Sequence, residues 1–316
     1  RTIDIRGAYI KADCGSDPIF KFMSSENLYI LGTGGYVHGT AGAFLYAEGS
    51  TDRPSSYSHY ARQIRLEGIT ISSKTITNFL DCQKAVRQLM IDKCFAYTSN
   101  GIYLNGKCIE NFMSDSILFS STRASGTYGI KTRATGGTRY YCEGLHIDNS
   151  LIDAFYDAFD IADLFALTLN NSWIGASGGY SFKVSYPTNT THTRDISING
   201  CVFYGYGISF TDSNAGYRYY ARVNDCTFAG VADDAIYVGV NSAAIDISDC
   251  KFHSASGTPV GVVLADKARE IVCSGLDFDE TYTLGVGVKG TKGDDIAIRG
   301  IAFSGTGKPV NTERPV

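Results

Sequence analysis

The chain has 316 residues, 44% of them apolar, and its 28 Lys and Arg against 32 Asp and Glu give a net charge of −4. This composition excludes a disordered chain, which would be poor in apolar residues, and a dedicated nucleic-acid binder, which would be basic. No run of 18 apolar residues occurs, so we expect no membrane insertion. Tyrosine is frequent, with 21 residues, and β-branched and aromatic residues dominate, which favours strands over helices.

One short pattern recurs in chain order from the first residues to the last. It reads apolar–x–apolar–x–turn–stack–x–apolar and is clearest in ISINGCVF, ARVNDCTF and IDISDCKF, whose stack residues lie 25 and 24 residues apart. Repeats of this length are typical of solenoids, in which each repeat packs on its neighbours. The stack positions are Ala8, Thr33, Ile69, Cys94, Ser116, Ser150, Ser172, Cys201, Cys226, Cys250, Leu276 and Ile301.

The residue before each stack position is Gly, Asn or Asp in eleven of the twelve repeats, and Lys93 is the exception. These residue types tolerate a left-handed backbone, so the pattern predicts a sharp bend at the same place in every repeat. Further strands follow each bend, and the whole predicts an all-β, parallel solenoid of about twelve rungs, as one domain over residues 1–316. Asn78–Ile91 has a helix-like composition, but the rung pattern favours a strand there.

The nine cysteines are odd in number and lack the CxxC or Cys/His spacing of a metal site. We therefore predict no metal and no disulfide framework. Because Cys201, Cys226 and Cys250 occupy stack positions, we expect them to point inward as free thiols, where cysteine behaves as a small hydrophobic residue.

Four loops at 47–62, 132–144, 185–195 and 211–222 are rich in Tyr, Arg and His. Loops on one side of a solenoid build a groove, and aromatic faces suit sugar rings while arginines suit carboxylated glycans. The alternative is that Arg and Tyr only pack each loop back on the barrel. The candidate substrate-binding residues in or beside these loops are Arg133, Arg139, His192, Asp212 and Arg218.

Alignment of the strands that precede these loops predicts two columns of outward side chains, polar in the middle of the chain. The first column is Leu45, Leu80, Tyr103, Lys131, Asp160, Lys183, Ser209, Tyr237, Val263 and Gly287. The second is Asn100, Tyr128, Asp157, Tyr180, Tyr206, Asp234, Val260 and Leu284. Their middle members Tyr103, Tyr128, Lys131, Tyr180, Lys183, Tyr206 and Tyr237 are further candidates for substrate binding.

Asp157 and Asp160 have different predicted neighbours in these columns. Tyrosines on both sides of Asp157 would desolvate its carboxyl and raise its pKa, whereas lysines on both sides of Asp160 would keep it ionised. Two carboxyls with opposed surroundings are typical of an acid and its ionised partner. The alternative is an ordinary Lys–Asp–Lys cross-strand ladder.

With this repeat, the chain resembles the right-handed parallel β-helix superfamily of pectate lyases, polygalacturonases and phage tailspike depolymerases. The DAFD segment is similar to the acidic pair of tailspike endoglycosidases, which implies catalytic roles for Asp157 and Asp160. A third acid has no clear match among Asp153, Asp163 and Asp212. ADDAI resembles the paired aspartates of polygalacturonases and adds Asp234, with Asp233 beside it, although no GHG or RIK motif follows.

The resemblance implies an endo-acting glycoside hydrolase of bacterial capsule or O-antigen, without a cofactor, on a phage tailspike in the virion tail. Two alternatives remain open: a polysaccharide lyase of the same fold, with Lys131, Lys183, Arg133, a tyrosine or His192 as base and a possible Ca²⁺, and a non-catalytic glycan-binding fibre. The resemblance further implies a homotrimer and a chain that is the central piece of a longer tailspike. Outward Leu45, Leu80, Val263 and the Val/Gly run at 284–288 are expected to contribute the apolar subunit contact.

Overall fold

The computed structural model describes residues 1–23, 27–134, 141–185, 193–212, 217–289, 295–304 and 307–312. They form 33 strands and one 3₁₀-helix of three residues, Tyr57–His59. The first strands are β1 (Thr2–Asp4), β2 (Tyr9–Asp13), β3 (Pro18–Phe22), β4 (Leu28–Leu31), β5 (Tyr36–Glu48), β6 (Ala61–Glu67), β7 (Thr70–Ser72), β8 (Ile76–Asp92), β9 (Phe95–Thr98), β10 (Asn100–Ser114) and β11 (Ile117–Ser120). The next are β12 (Tyr128–Arg133), β13 (Cys142–Asp148), β14 (Leu151–Phe155), β15 (Asp157–Ile161), β16 (Leu164–Asn170), β17 (Trp173–Ala176), β18 (Phe182–Val184), β19 (Arg194–Asn199), β20 (Val202–Tyr204), β21 (Ile208–Phe210) and β22 (Arg218–Asn224). The last are β23 (Thr227–Ala229), β24 (Ile236–Val238), β25 (Ala243–Ser248), β26 (Lys251–His253), β27 (Val260–Leu264), β28 (Arg269–Ser274), β29 (Asp277–Phe278), β30 (Leu284–Val288), β31 (Ile296–Arg299), β32 (Ala302–Phe303) and β33 (Lys308–Thr312).

The strands stack in three parallel ladders, each with one strand per turn. The first ladder begins β1–β4–β6 and continues through β13, β16 and β19 to β31, and the second begins β2–β5 and continues through β14, β17 and β20 to β32. The third begins β3–β5 and continues through β12, β15 and β18 to β33. The coil has about eleven turns, which confirms the predicted parallel solenoid and is close to the twelve rungs expected.

Left-handed bends separate the first ladder from the second, as the repeat predicts. Asn149, Asn171 and Asp225 have φ of 47°, 48° and 50°, and Lys93, whose residue type is the exception in the sequence, takes φ 50° as well. The fold therefore imposes the bend even where the residue does not favour it. At the second repeat the left-handed residue is Gly34, with φ 72°.

The interior of the coil is filled by stacked side chains of the same kind from neighbouring turns. Phe203, Phe228, Phe252 and Phe278 form a continuous stack with ring centroids 5.1, 4.9 and 4.3 Å apart. All nine cysteines are free and eight are buried, Cys201, Cys226 and Cys250 among them, as predicted. Asn78–Ile91 lies within strand β8, so the strand prediction is confirmed there.

The predicted outward column is wrong at Leu45 and Leu80. Leu45 and Leu80 point inward and are 1% and 0% exposed, and the outward side chains of those two turns belong to Tyr46 and Asp81. A shift of one residue moves every side chain of a strand to the other face. The predicted register of β5 and β8 is displaced by one residue, which explains the error at Leu45 and Leu80. Val263 keeps the predicted register but is only 1% exposed, so none of the three leucine or valine side chains offers an apolar surface for a subunit contact.

No helix among the described residues is long and apolar enough to cross a membrane.

Candidate functional site

A cavity of about 280 Å³ opens on the outer face of the third ladder. Asp157 and Lys183 line it near one end, and Asp233 and Asp234 line it at the other. Tyrosines complete the walls: Tyr156, Tyr180 and Tyr206. The structure therefore brings two separately predicted groups, the DAFD aspartate and the ADDAI aspartates, to one opening.

Asp157 lies at the start of β15, tight against the backbone of the next turn. A Cβ added to Gly179 would lie 2.1 Å from Asp157 Oδ1 and 2.9 Å from the Tyr156 carbonyl oxygen, so a larger residue there would displace the Asp157 side chain. The Tyr180 backbone N–H donates to the same oxygen over 2.9 Å. Burial raises the pKa of Asp157, and the Tyr180 hydrogen bond and the charge of Lys183 oppose that rise without cancelling it. The upward direction agrees with the sequence prediction.

Asp160 faces outward on the same strand but lies beneath long cationic side chains. It pairs in register with Lys131 and Lys183, as predicted, and is 8% exposed. Its Oδ2 accepts from Arg133 Nη2 at 2.5 Å and lies 3.5 Å from Lys131 Nζ. Its Oδ1 is buried and accepts no hydrogen bond from the described residues. Arg133, which the sequence predicts to bind substrate, contacts this carboxylate in the structure.

Asp234 is separated from Asp157 by three turns of the coil, through Tyr180 and Tyr206. At about 4.8 Å per turn, their backbones lie about 14 Å apart. Burial raises the pKa of Asp234, and the neighbouring charge of Asp233 adds to the rise. The cavity thus has a partly buried carboxyl at each end.

The predicted tyrosines lie along the same face. The rings of Tyr103 and Tyr128 are 6.0 Å apart, and Lys131 Nζ lies 5.2 Å from the centre of the Tyr128 ring. Beyond the cavity, the hydroxyl of Tyr237 donates to Asp212 Oδ1 over 3.0 Å. Burial first, and then this hydrogen bond, raises the pKa of Tyr237 to about 12.

The predicted substrate-binding residue Arg218 is not on the face that carries this cavity. Arg218 lies on the first ladder, where its guanidinium pairs with Glu270 at 2.6 Å. Arg139 and His192 lie outside the described residues. Of the candidate third acids, Asp163 is fully buried, so it does not face the groove.

Sequence reasoning missed Asp81. It lies in the outward column three turns before Asp160 and lines a second cavity of about 330 Å³ with Ser16, Tyr46 and Asn78. Burial raises the pKa of Asp81, while a hydrogen bond from the Gln83 side-chain amide opposes the rise. Asp81 could have been predicted to lie in the outward column if strands β5 and β8 had been aligned in the correct register.

No protein-family model and no curated protein sequence matches this chain. Solved structures do. The chain is similar to the surface adhesin PfbA of Streptococcus pneumoniae (TM-score 0.60, 10% identity, 95% of this chain and 87% of that chain). It is also similar to the catalytic unit of a GH87 α-1,3-glucanase from Streptomyces thermodiastaticus (0.61, 12%, 98% and 63%) and to tailspike protein 3 of bacteriophage CBA120 (0.55, 13%, 92% and 54%).

This chain therefore spans less than two thirds of the glucanase unit and of the tailspike. At such identities the likeness concerns the fold alone. The structures it matches are right-handed parallel β-helices, which confirms the fold that the sequence resemblance implied.

Proposed function

We propose that this chain is an endo-acting glycoside hydrolase of an extracellular bacterial polysaccharide, with Asp157 as its general acid. The observation that carries the proposal is a carboxyl with a raised pKa in an open cavity walled by tyrosines. A general acid must hold its proton near the working pH, and burial of Asp157 favours that protonated form. Tyrosine rings offer the flat apolar faces on which sugar rings stack.

Asp160 is the proposed partner carboxylate. It lies three residues after Asp157 on the same strand, and its ion pairs with Arg133 and Lys131 favour the ionised carboxylate. In this mechanism Asp157 protonates the glycosidic oxygen, and the electron pair of the breaking C–O bond goes to that oxygen. Asp160 stabilises the positive charge that develops on the sugar and takes the proton of the attacking water.

Asp234 does not suit the partner role. Catalytic carboxyl pairs in inverting enzymes are about 6.5–9.5 Å apart, and in retaining enzymes closer still. Three turns of the coil separate Asp234 from Asp157, about 14 Å of backbone. We therefore assign Asp234 and Asp233 to substrate binding at the far end of the cavity.

We further propose that the chain is part of a phage tailspike that acts on capsule or O-antigen at the bacterial surface, and that the parent protein is a homotrimer. Two observations support this: the shared fold with a phage tailspike, and an exposed apolar column on the second ladder. In that column Phe95, Ile117 and Trp173 are 37%, 38% and 39% exposed. Sedimentation of the parent protein tests this, and a monomer would contradict it.

The activity is tested by incubating the protein with a panel of purified capsular and O-antigen polysaccharides. We expect new reducing ends and shorter chains without new ultraviolet absorbance. Shorter chains with the absorbance of an unsaturated product would instead support a lyase, in which Lys131 or Lys183 removes a proton. Binding with no change in chain length would support a glycan-binding fibre and contradict the hydrolase.

A further inference from the structure

The outer face of the first ladder carries a groove that the proposed reaction does not use. Two cavities of about 500 and 420 Å³ adjoin there, and both are lined by Ser197, Arg222 and Asp246. The groove spans β16, β19, β22, β25 and β28 and shares no lining residue with the Asp157 cavity. At about 4.8 Å per turn, four steps give a length of about 19 Å.

The smaller cavity is lined by amide and hydroxyl side chains from four successive turns. Asn170, Asn199, Asn224 and Ser248 follow one another in register. Asn224 donates to Asn199 over 2.9 Å, and Ser248 donates to Asn224 over 3.0 Å. A side-chain amide has two donors and an acceptor with two lone pairs, so each Asn has capacity beyond these bonds. A surface with a regular repeat of donors and acceptors suits a polymer with a regular repeat of hydroxyls.

Tyr220 supplies an aromatic ring at the side of the groove. It is 46% exposed and lines the larger cavity. Its backbone is left-handed, with φ 47°, and the residues at the matching position of neighbouring turns, such as Ala166, Asp195 and Ala244, are left-handed too. The bend is therefore a feature of the coil. Among these residues only Tyr220 presents an aromatic face on which a sugar ring can stack.

The charges that line the groove are paired. Asp195 Oδ2 lies 3.7 Å from Arg194 Nε, Asp246 Oδ2 lies 3.7 Å from Arg222 Nε, and Glu270 Oε1 lies 2.6 Å from Arg218 Nη2. Because each carboxylate is next to an arginine, the groove has little net charge, unlike the cations around Asp160. The Asp246 side chain is 39% exposed while its Oδ1 is buried, so Oδ2 is the oxygen that can accept a hydrogen bond from a ligand in the groove.

We propose that this groove is a second, non-catalytic binding site for a segment of uncharged polysaccharide lying along the coil axis. Tyr220 stacks on a sugar ring, Asp246 accepts from its hydroxyls, and the asparagine column binds the following residues. The inference rests on the groove's own residues and does not require that the chain cleave glycans. Binding here and cleavage at Asp157 can therefore succeed or fail separately.

Affinity electrophoresis in native gels tests the proposal, with dextran, mannan or galactomannan in the gel as neutral probes and polygalacturonate as the acidic one. We expect at least one neutral probe to retard the protein. Tyr220→Ala should weaken that binding about tenfold, the scale of a lost aromatic contact, and Asp246→Ala should weaken it as well. Both side chains are at the surface, and thermal unfolding checks that the variants remain folded.

Two control variants locate the binding. Tyr204→Ala removes a ring on the second ladder that is 50% exposed, and Tyr9→Ala removes one near the start of the same ladder that is 71% exposed; both should bind the neutral probe like the parent. The proposal is overturned if no neutral probe retards the protein, if only polygalacturonate does, or if Tyr220→Ala and Asp246→Ala bind unchanged. Loss of binding in either control instead of Tyr220→Ala would also overturn it.

Discussion

Replacing Arg133 by Met should destabilise the protein through Asp160. The substitution keeps an apolar stem but removes the bonds from Arg133 Nη2 to Asp160 Oδ2 at 2.5 Å and from Nη1 to the Asp160 carbonyl oxygen at 3.1 Å. Asp160 is 8% exposed and would retain only Lys131, 3.5 Å away. Leaving a buried charge with no partner costs about 3–5 kcal/mol; because Lys131 remains, we expect about 2 kcal/mol.

For a chain of this size that loss lowers the melting temperature by about 3 °C. Thermal unfolding followed by circular dichroism measures it, with Arg6→Met as the matched control. The Arg6–Asp4 pair has the same 2.5 Å separation, but its side chains are 57% and 46% exposed, so its loss should leave the melting temperature unchanged. Equal shifts of the melting temperature in the two variants, or no shift in Arg133→Met, would refute the idea that burial makes the Asp160 ion pair contribute to stability.

Three further outcomes follow from the same contacts. Lys183→Met should move the basic limb of the cleavage–pH profile to higher pH. The lysine charge lowers the pKa of Asp157, so without it the general acid keeps its proton to higher pH. A shift of the basic limb to lower pH would count against Asp157 as the acid. Phe252→Ala, in the middle of the ring stack, should cost about 4 kcal/mol in chemical denaturation, whereas Phe112→Ala, at a ring that is 42% exposed, should cost less than about 1 kcal/mol. The buried thiols should react with a thiol reagent only after unfolding, since burial raises the pKa of Cys94 to about 12; rapid labelling of the native protein would contradict this.

The features that could be predicted from the sequence are those that depend on the residue type at a single repeated position. Asn149 and Asp225 mark bends because their side chains tolerate a left-handed backbone, and Cys201 marks an inward position because it repeats with the bend. The tyrosine next to Asp157 could be predicted from the same repeat period, because the register pairs Tyr128 with Asp157. Once the period is known, neighbours in a solenoid can be read from the sequence.

The misplaced register at Leu45 and Leu80 has a physical origin. Strand β5 runs without a break from the second ladder into the third, and β8 pairs in register with its second half, so the strand itself does not mark where the third ladder starts. An alternating strand without such a mark can be aligned with an error of one residue, and the predicted column therefore contains Leu80 where the structure has Asp81. The position of Arg133 could not be predicted because its reach to Asp160 depends on a side-chain conformation.

The most direct test of the central claim is the chain length of a susceptible polysaccharide, measured by size-exclusion chromatography after treatment with Asp157→Asn, Asp234→Asn and the unaltered protein. The account predicts that Asp157→Asn loses about 10²- to 10⁴-fold in cleavage, while Asp234→Asn still shortens the chains. Because the folded pKa of Asp157 is raised, its charged form opposes folding above that pKa, so Asp157→Asn should also melt no lower at pH 7. Full cleavage by a well-folded Asp157→Asn would contradict the assignment of Asp157 as the general acid.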